Sequence, residues 1–306
     1  MAYQLNQSLL TDEPHAEPTR VGFGRGLKAA GEANPQVVGL CADLVESVQM
    51  HLFAEAFPER YVEVGIAEQN LATVAAGMAR AGKIPFAASY AAFSPGRNWE
   101  QIKTMTALNQ LPVKMVGAHA GSTVCPGDSI EAEKATQAIA EHPSACYLRI
   151  AREKTPIFST PESPFEIGKA YVLREGSDVT ILSTGIETPY ALKAAEALEK
   201  GGLSVEVVHV PTVKPLDTKT ILASIKKTGR AVSCEDAQAA GGFGGAIAEL
   251  LCDEMPAPLL RIGVNDRYGE SGAPLEVHKN LGLADDTIAK RTKAFVKKVP
   301  SYKPGF

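Results

Sequence analysis

The stretch Tyr61-Val62-Glu63-Val64-Gly65-Ile66-Ala67-Glu68-Gln69-Asn70 ends an apolar run on an acid and leads into a helical pattern that begins near Leu71. Glu68 is thereby expected at a strand-to-helix junction, at the open end of a sheet where α/β folds bind ligands. Its neighbours Ile66 and Ala67 offer a carboxylate no polar partner. A carboxyl in such a place can hold or pass a proton. Taken alone, an acid that favours the dipole of a helix N-terminus is the commoner explanation. Further along, Ile84-Pro85-Phe86-Ala87-Ala88 reads as a buried strand. Tyr90 and Phe93 follow three residues apart, in a chain only 6% aromatic. Then Val113-Lys114-Met115-Val116-Gly117-Ala118-His119 gives a strand that ends in a histidine. A generic core pair remains open for the two aromatics.

The elements that must position these groups are legible from hydrophobic period. Residues 36–40, 84–87, 113–117, 179–182, 205–210, 231–234 and 259–264 are short apolar runs rich in Val, Ile and Leu, as expected of strands buried on both faces. Between them lie helical spacings: Leu71, Val74, Ala75 and Met78 in one, Ile247, Leu250 and Leu251 in another. Alternating strands and helices predict an α/β fold of two domains, each with a mainly parallel sheet flanked by helices. The proline-rich stretch 154–164 divides them, with a first domain over 1–157 and a second over 165–306.

Two glycine clusters invite over-reading. Gly22-Phe23-Gly24-Arg25-Gly26 places Leu27 where the third glycine of a dinucleotide-binding turn belongs, and no buried strand precedes it, so that reading is rejected. Gly241-Gly242-Phe243-Gly244-Gly245 does precede a helix and could offer N–H groups to an anion, but close packing of a helix entrance is the plainer expectation.

Lys+Arg 31 against Asp+Glu 35 leaves a net charge of −4, so no positive field exists to collect nucleic acid. Apolar runs are broken well short of the roughly 18 residues of a membrane span. The first twenty residues are polar and acidic, unlike a signal peptide, which predicts a cytoplasmic protein. Five cysteines with no CxxC spacing suit reduced thiols.

The segment Gly65-Ile66-Ala67-Glu68-Gln69-Asn70, the Tyr90/Phe93 pair after its strand, and the strand ending in His119 resemble the C-terminal half of transketolase, and in particular the small subunit of the split, two-chain form. Val213-Lys214-Pro215-Leu216-Asp217, the glycine run 241–245 and Arg267-Tyr268-Gly269-Glu270-Ser271-Gly272 resemble that family's C-terminal domain, so the resemblance covers nearly the whole chain. It implies a transferase of the pentose phosphate pathway type, moving a two-carbon ketol unit from a ketose phosphate to an aldose phosphate through a thiamine-diphosphate ylide. Glu68 matches the catalytic glutamate that hydrogen-bonds the aminopyrimidine ring, and burial in an apolar pocket should help its carboxyl keep the proton it needs. Tyr90 and Phe93 match the aromatics against the pyrimidine, and Asp43 and Leu44 a segment that touches the thiazolium and the bend of the cofactor. Arg20, Ser47, His119 and Arg152 match positions that grip the sugar phosphate, a task suited to the planar fork of arginine.

The family's Gly-Asp-Gly motif followed by Asn is absent. The resemblance therefore implies no metal ligand from this chain. Thiamine diphosphate and magnesium would be shared with a large N-terminal transketolase subunit, in an α2β2 heterotetramer. Two departures stand out. A third family aromatic is replaced by Gly96, which thins the pocket wall, and Val124 joins Cys125 where the family has a longer segment with a second histidine. The join is either a true deletion or an omitted mobile active-site loop, and the second is the expectation. Two rival readings remain, a β subunit of a 2-oxo acid dehydrogenase and a non-catalytic regulatory subunit. In the second domain, His209, His278 and Asp217 are expected to be structural or interface residues.

Overall fold

A computed structural model describes residues 3–11, 13–119 and 126–302. The chain forms two compact units, which take up the described residues 16–119 and 128–155 in one and 3–11, 13–15, 126–127 and 156–302 in the other. The described residues up to His15 thus group with the second unit, because Leu9 is buried in its core beside Phe158 and the Ser163 hydroxyl donates to the Gln4 carbonyl.

In the first unit, β1 (Ala16–Pro18) runs straight into α1 (Thr19–Ala33). β2 (Val37–Cys41), α2 (His51–Ala56), β3 (Tyr61–Glu63), α3 (Glu68–Arg80) and β4 (Ile84–Tyr90) follow. A short α4 (Trp99–Gln101) continues as a π-helix over Ile102–Ala107, and β5 (Lys114–Ala118), α5 (Ser129–Glu141) and β6 (Cys146–Arg149) complete the sheet. β7 (Lys154–Pro156) pairs with β1 in a separate two-stranded sheet. The main sheet has the order β3-β2-β4-β5-β6, and every pairing is parallel. α3 covers one face, laying Leu71, Ala75 and Ala79 against Val38, Leu40, Ala87 and Met115. β2 and β5 are buried along their whole length, which is why they read as continuous apolar runs. Lys114 breaks that run. It is fully buried, and its Nζ donates to the carbonyls of His142 (2.5 Å) and Ser144 (2.8 Å), which satisfies two of its three protons and fastens β5 to the turn before β6.

The second unit carries β8 (Tyr171–Arg174), β9 (Val179–Ser183), α6 (Glu187–Lys200), β10 (Val205–His209), α7 (Thr218–Thr228), β11 (Ala231–Gln238), α8 (Phe243–Glu254), β12 (Leu259–Val264), α9 (Pro274–Asn280) and α10 (Asp285–Lys298). Its order is β12-β11-β9-β10-β8, parallel except for β8 at the edge. Alternation along the strands feeds two cores: Val179, Ile181, Val205 and Val207 meet α6 and α10, whereas Leu182, Val208 and Val210 meet α7 and α8. His209 and Asp217 are structural here. The first bonds Thr188 Oγ1 through Nδ1 at 2.7 Å, and the second caps α7 by accepting from the Thr220 N–H. The glycine run opens α8, but its N–H groups are already taken by the chain's own anion: Glu235 accepts from Phe243 N and Gly244 N, both at 2.7 Å. A Cβ on Gly242 would lie 2.1 Å from Glu235 Oε2. Close packing is therefore the use of this glycine.

Among the described residues no helix is long and apolar enough to cross a membrane. The four described cysteines are free; Cys41 and Cys234 are buried and Cys252 is exposed.

Candidate functional site

The carboxyl edge of the first unit's sheet gathers the candidate residues, because each parallel strand ends there and hands its chain to a loop or helix. Arg20 lies in the first turn of α1, and Asp43, Leu44 and Ser47 follow β2. Glu68 is the first residue of α3, Tyr90 the last of β4, and His119 follows β5. Thr19, fully buried, accepts the Ala151 N–H at 2.6 Å and so ties the start of α1 to the loop that carries Arg152.

Six of the nine form one continuous string. Arg20 Nη1 lies 3.2 Å from His119 Nε2 and donates to the Ser47 carbonyl at 2.8 Å. Ser47 Oγ is 2.6 Å from the Tyr90 hydroxyl and 3.3 Å from His119 Nε2. The Tyr90 ring stacks on His119 at 4.0 Å between centroids and meets Phe93 at 5.9 Å. The Arg97 guanidinium lies 4.1 Å from the Phe93 ring centre, and its Nη1 reaches Glu68 Oε1 at 3.3 Å and Oε2 at 3.2 Å.

Electrostatics fixes one tautomer in this string. Burial lowers the His119 pKa below its usual 6.5, and the positive charges of Arg20 and then Arg152 push the same way, against a backbone hydrogen bond at Ser47. The imidazole is neutral at pH 7. Arginine has only donors, so His119 Nε2 is the acceptor and Nδ1 carries the proton. His119 also holds φ at +51°, a left-handed conformation that costs a non-glycine residue energy and recurs at functional sites. Arg20 Nε is buried with no partner among the described residues.

The remaining three stand apart. Asp43, also left-handed at φ +59°, is held through its N–H, which donates to Glu63 Oε1 at 2.7 Å. Glu63 also accepts from Gly65 N and the Tyr61 hydroxyl, so this acid shapes the loop between β3 and α3. Leu44 is half-buried. Arg152 is two-thirds exposed, paired with Glu153 at 3.6 Å, and reaches His119 only through its field. The join at Val124–Cys125 lies outside the described residues. Among the described residues no group of three or more His, Cys, Asp or Glu is placed to hold a metal ion.

Two family descriptions match this chain: the transketolase pyrimidine-binding domain over residues 16–124 and the transketolase C-terminal domain over 168–288. The chain belongs to the transketolase family. A Methanocaldococcus jannaschii protein described as a transketolase C-terminal section is 39% identical over 307 residues, spanning 91% of this chain and 96% of that one. A 6-deoxy-6-sulfo-D-fructose transketolase subunit from a Clostridium species is 37% identical, covering 85% of this chain and 88% of its own length. A solved structure described as a split-gene transketolase, inactive β4 tetramer, has a TM-score of 0.87 at 36% identity, covering 92% of this chain and 98% of that one. Human transketolase is 31% identical over 92% of this chain, which spans about half of it (49%).

Within this transketolase chain, every candidate except Arg152 falls inside the matched pyrimidine-binding segment. Sequence reasoning missed Arg97 and Glu63. Arg97 had a signal: it follows Gly96, where the family aromatic is lacking, and its guanidinium covers the face of Phe93. Glu63, an acid that closes β3 just before a left-handed Gly65, was overshadowed by Glu68.

Proposed function

We infer that the chain is the small subunit of a split transketolase, moving a two-carbon ketol unit from a ketose phosphate to an aldose phosphate with a large partner chain. One observation carries this reading: the unbroken string from Arg20 to Glu68 along the carboxyl edge joins an arginine–histidine–serine cluster at one end to a buried carboxyl that Arg97 ties to the Tyr90/Phe93 pair at the other.

Glu68, only 4% exposed and linked to the Phe93 face through the Arg97 guanidinium, fits the pyrimidine end of thiamine diphosphate. When bound, the cofactor supplies a nucleophilic thiazolium carbon that can take up and release the two-carbon unit. Glu68 would hold a proton against the ring nitrogen, Phe93 and Tyr90 would orient the ring by stacking, and Asp43 and Leu44 would line the bend. Arg20, Ser47 and His119 would hold the sugar phosphate, with Arg152 adding charge at the mouth. Neutral His119 would meet a sugar hydroxyl as acceptor at Nε2, once that hydroxyl displaces Arg20, or as donor at Nδ1.

With no Gly-Asp-Gly…Asn motif in the chain, the diphosphate and magnesium are assigned to the large subunit, in an α2β2 assembly within the cytoplasm. A β-only tetramer of a split-gene transketolase that is described as inactive suits this division of labour. The test is reconstitution. Mixing the chain with its large partner, thiamine diphosphate and magnesium is expected to give transfer from a ketose phosphate, and neither chain alone is expected to do so. Absence of transfer with every ketose donor tried would refute the reading.

A further inference from the structure

The Glu68 carboxyl is not free to meet a ring nitrogen. Among the described residues Arg97 is the only group hydrogen bonded to it, and one Nη1 engages both oxygens, at 3.3 and 3.2 Å. The two partners differ in access: the Glu68 side chain is 4% exposed and that of Arg97 52%. Next along the chain, fully buried Asn98 donates from Nδ2 to the Glu68 carbonyl at 3.0 Å and to Ser94 Oγ at 3.2 Å. The backbone beside Arg97 is thereby pinned to the first turn of α3, whereas the guanidinium rests on Phe93 with an open side toward solvent. The backbone is anchored, and half of the Arg97 side chain stands open to solvent.

We propose that Arg97 is a positioning residue that guards Glu68, holding the carboxyl while the pocket is empty and yielding both oxygens when an aminopyrimidine ring binds. The inference rests on the function proposed above. The exchange balances simply. Two N–H···O contacts to the guanidinium break, the guanidinium turns to solvent still charged, and a proton from the buffer joins the Glu68 carboxyl, which donates it to the ring nitrogen. Cofactor binding at pH 8 therefore carries proton uptake, and Arg97 competes with it.

The experiment uses the reconstituted two-chain complex with magnesium and titrates thiamine diphosphate by calorimetry at pH 8, in two buffers of different ionisation enthalpy. The wild-type complex is expected to take up a proton on binding. Arg97→Met keeps a side chain over Phe93 and removes the competing charge, so the cofactor should bind about two- to fivefold more tightly, the range of a half-exposed ion pair, with less proton uptake. Arg97→Lys should restore both wild-type values, which a merely structural role would not produce. In a Glu68→Gln background the uptake should vanish and Arg97→Met should change nothing. If the Met variant does not assemble, Arg97→Gln takes its place. Unchanged or weaker binding with unchanged proton uptake in Arg97→Met overturns the guard alone. Failure of the wild-type complex to bind the cofactor at all overturns the functional reading and this inference together.

Discussion

Helix α1 carries Arg20 in its first turn, and what fixes that helix is a glycine. A methyl group built on Gly22 would stand 1.8 Å from the Ser129 carbonyl oxygen and 2.7 Å from its carbon, at the point where α5 begins. Both obstacles are backbone, so relief requires the two helices to part. Overpacking of this kind costs typically about 1–3 kcal/mol, and a clash between two backbones belongs at the upper end. Gly77, in the middle of α3, provides the control, because nothing lies within 4 Å of a Cβ there. Gly77→Ala should stabilise by roughly 0.5–1 kcal/mol through helix propensity alone, whereas Gly22→Ala must overcome that same gain. The propensity gain is common to both, so the two variants are expected to lie apart by the clash alone, roughly 2–3 kcal/mol. The assay is urea unfolding followed by fluorescence of the chain's single tryptophan, Trp99, which sits in the same unit. Gly22→Ala should also lower substrate affinity in the reconstituted enzyme by shifting Arg20 from His119. Equal stabilisation by the two alanines would refute the close approach of α1 and α5, and with it this account of how Arg20 is held.

Glu235→Ala leaves the Phe243 and Gly244 N–H groups without their acceptor, and the unfolding free energy of the second unit should fall by roughly 2–4 kcal/mol, at one to two per buried bond, measured by calorimetry. The pair His278–Glu187, 2.7 Å apart with Glu187 fully buried, predicts a pH dependence. Burial pulls His278 down, but the Glu187 hydrogen bond and charge, backed by Asp236 and Asp285, outweigh it and raise its pKa above 6.5. Burial raises Glu187, and His278 only partly opposes it. Both groups therefore hold protons more tightly folded than unfolded, so this contribution is full for His278 below about pH 6.5 and is lost as pH rises through its folded pKa. Melting temperatures of wild type and His278→Gln, scanned from acid to alkaline pH, should converge at the alkaline end; parallel curves would refute this assignment.

Every apolar run in the sequence became a strand, because central parallel strands are buried on both faces and have no choice but Val, Ile, Leu and Ala. The edge strands β6 and β8 escaped notice for the converse reason. Each is four residues long and half-exposed, so Cys146–Arg149 and Tyr171–Arg174 carry no clear period. Gly22 and Gly26 could be denied a nucleotide-binding role from spacing alone, but their real use, letting α5 approach α1, is a long-range contact that no local pattern encodes. The site was more legible than its wiring. Glu68, Tyr90, Phe93 and His119 stand out as chemistry at strand ends, whereas the Ser47–Tyr90 hydrogen bond and the Arg97–Glu68 pair join residues 43 and 29 apart in sequence. Such partners depend on strand order, which periodicity does not reveal. Arg97 matters most among them, since it makes the surroundings of Glu68 charged where the sequence suggested an apolar wall.

The central claim is that the Glu68 carboxyl, and not merely the fold around it, drives proton chemistry at the cofactor. Its most direct test is two-carbon transfer by the reconstituted complex carrying Glu68→Gln, which keeps the shape of the side chain but cannot exchange a proton. The account predicts a complex that still assembles while its kcat falls by about 10²–10⁴-fold. Transfer at the wild-type rate would contradict it.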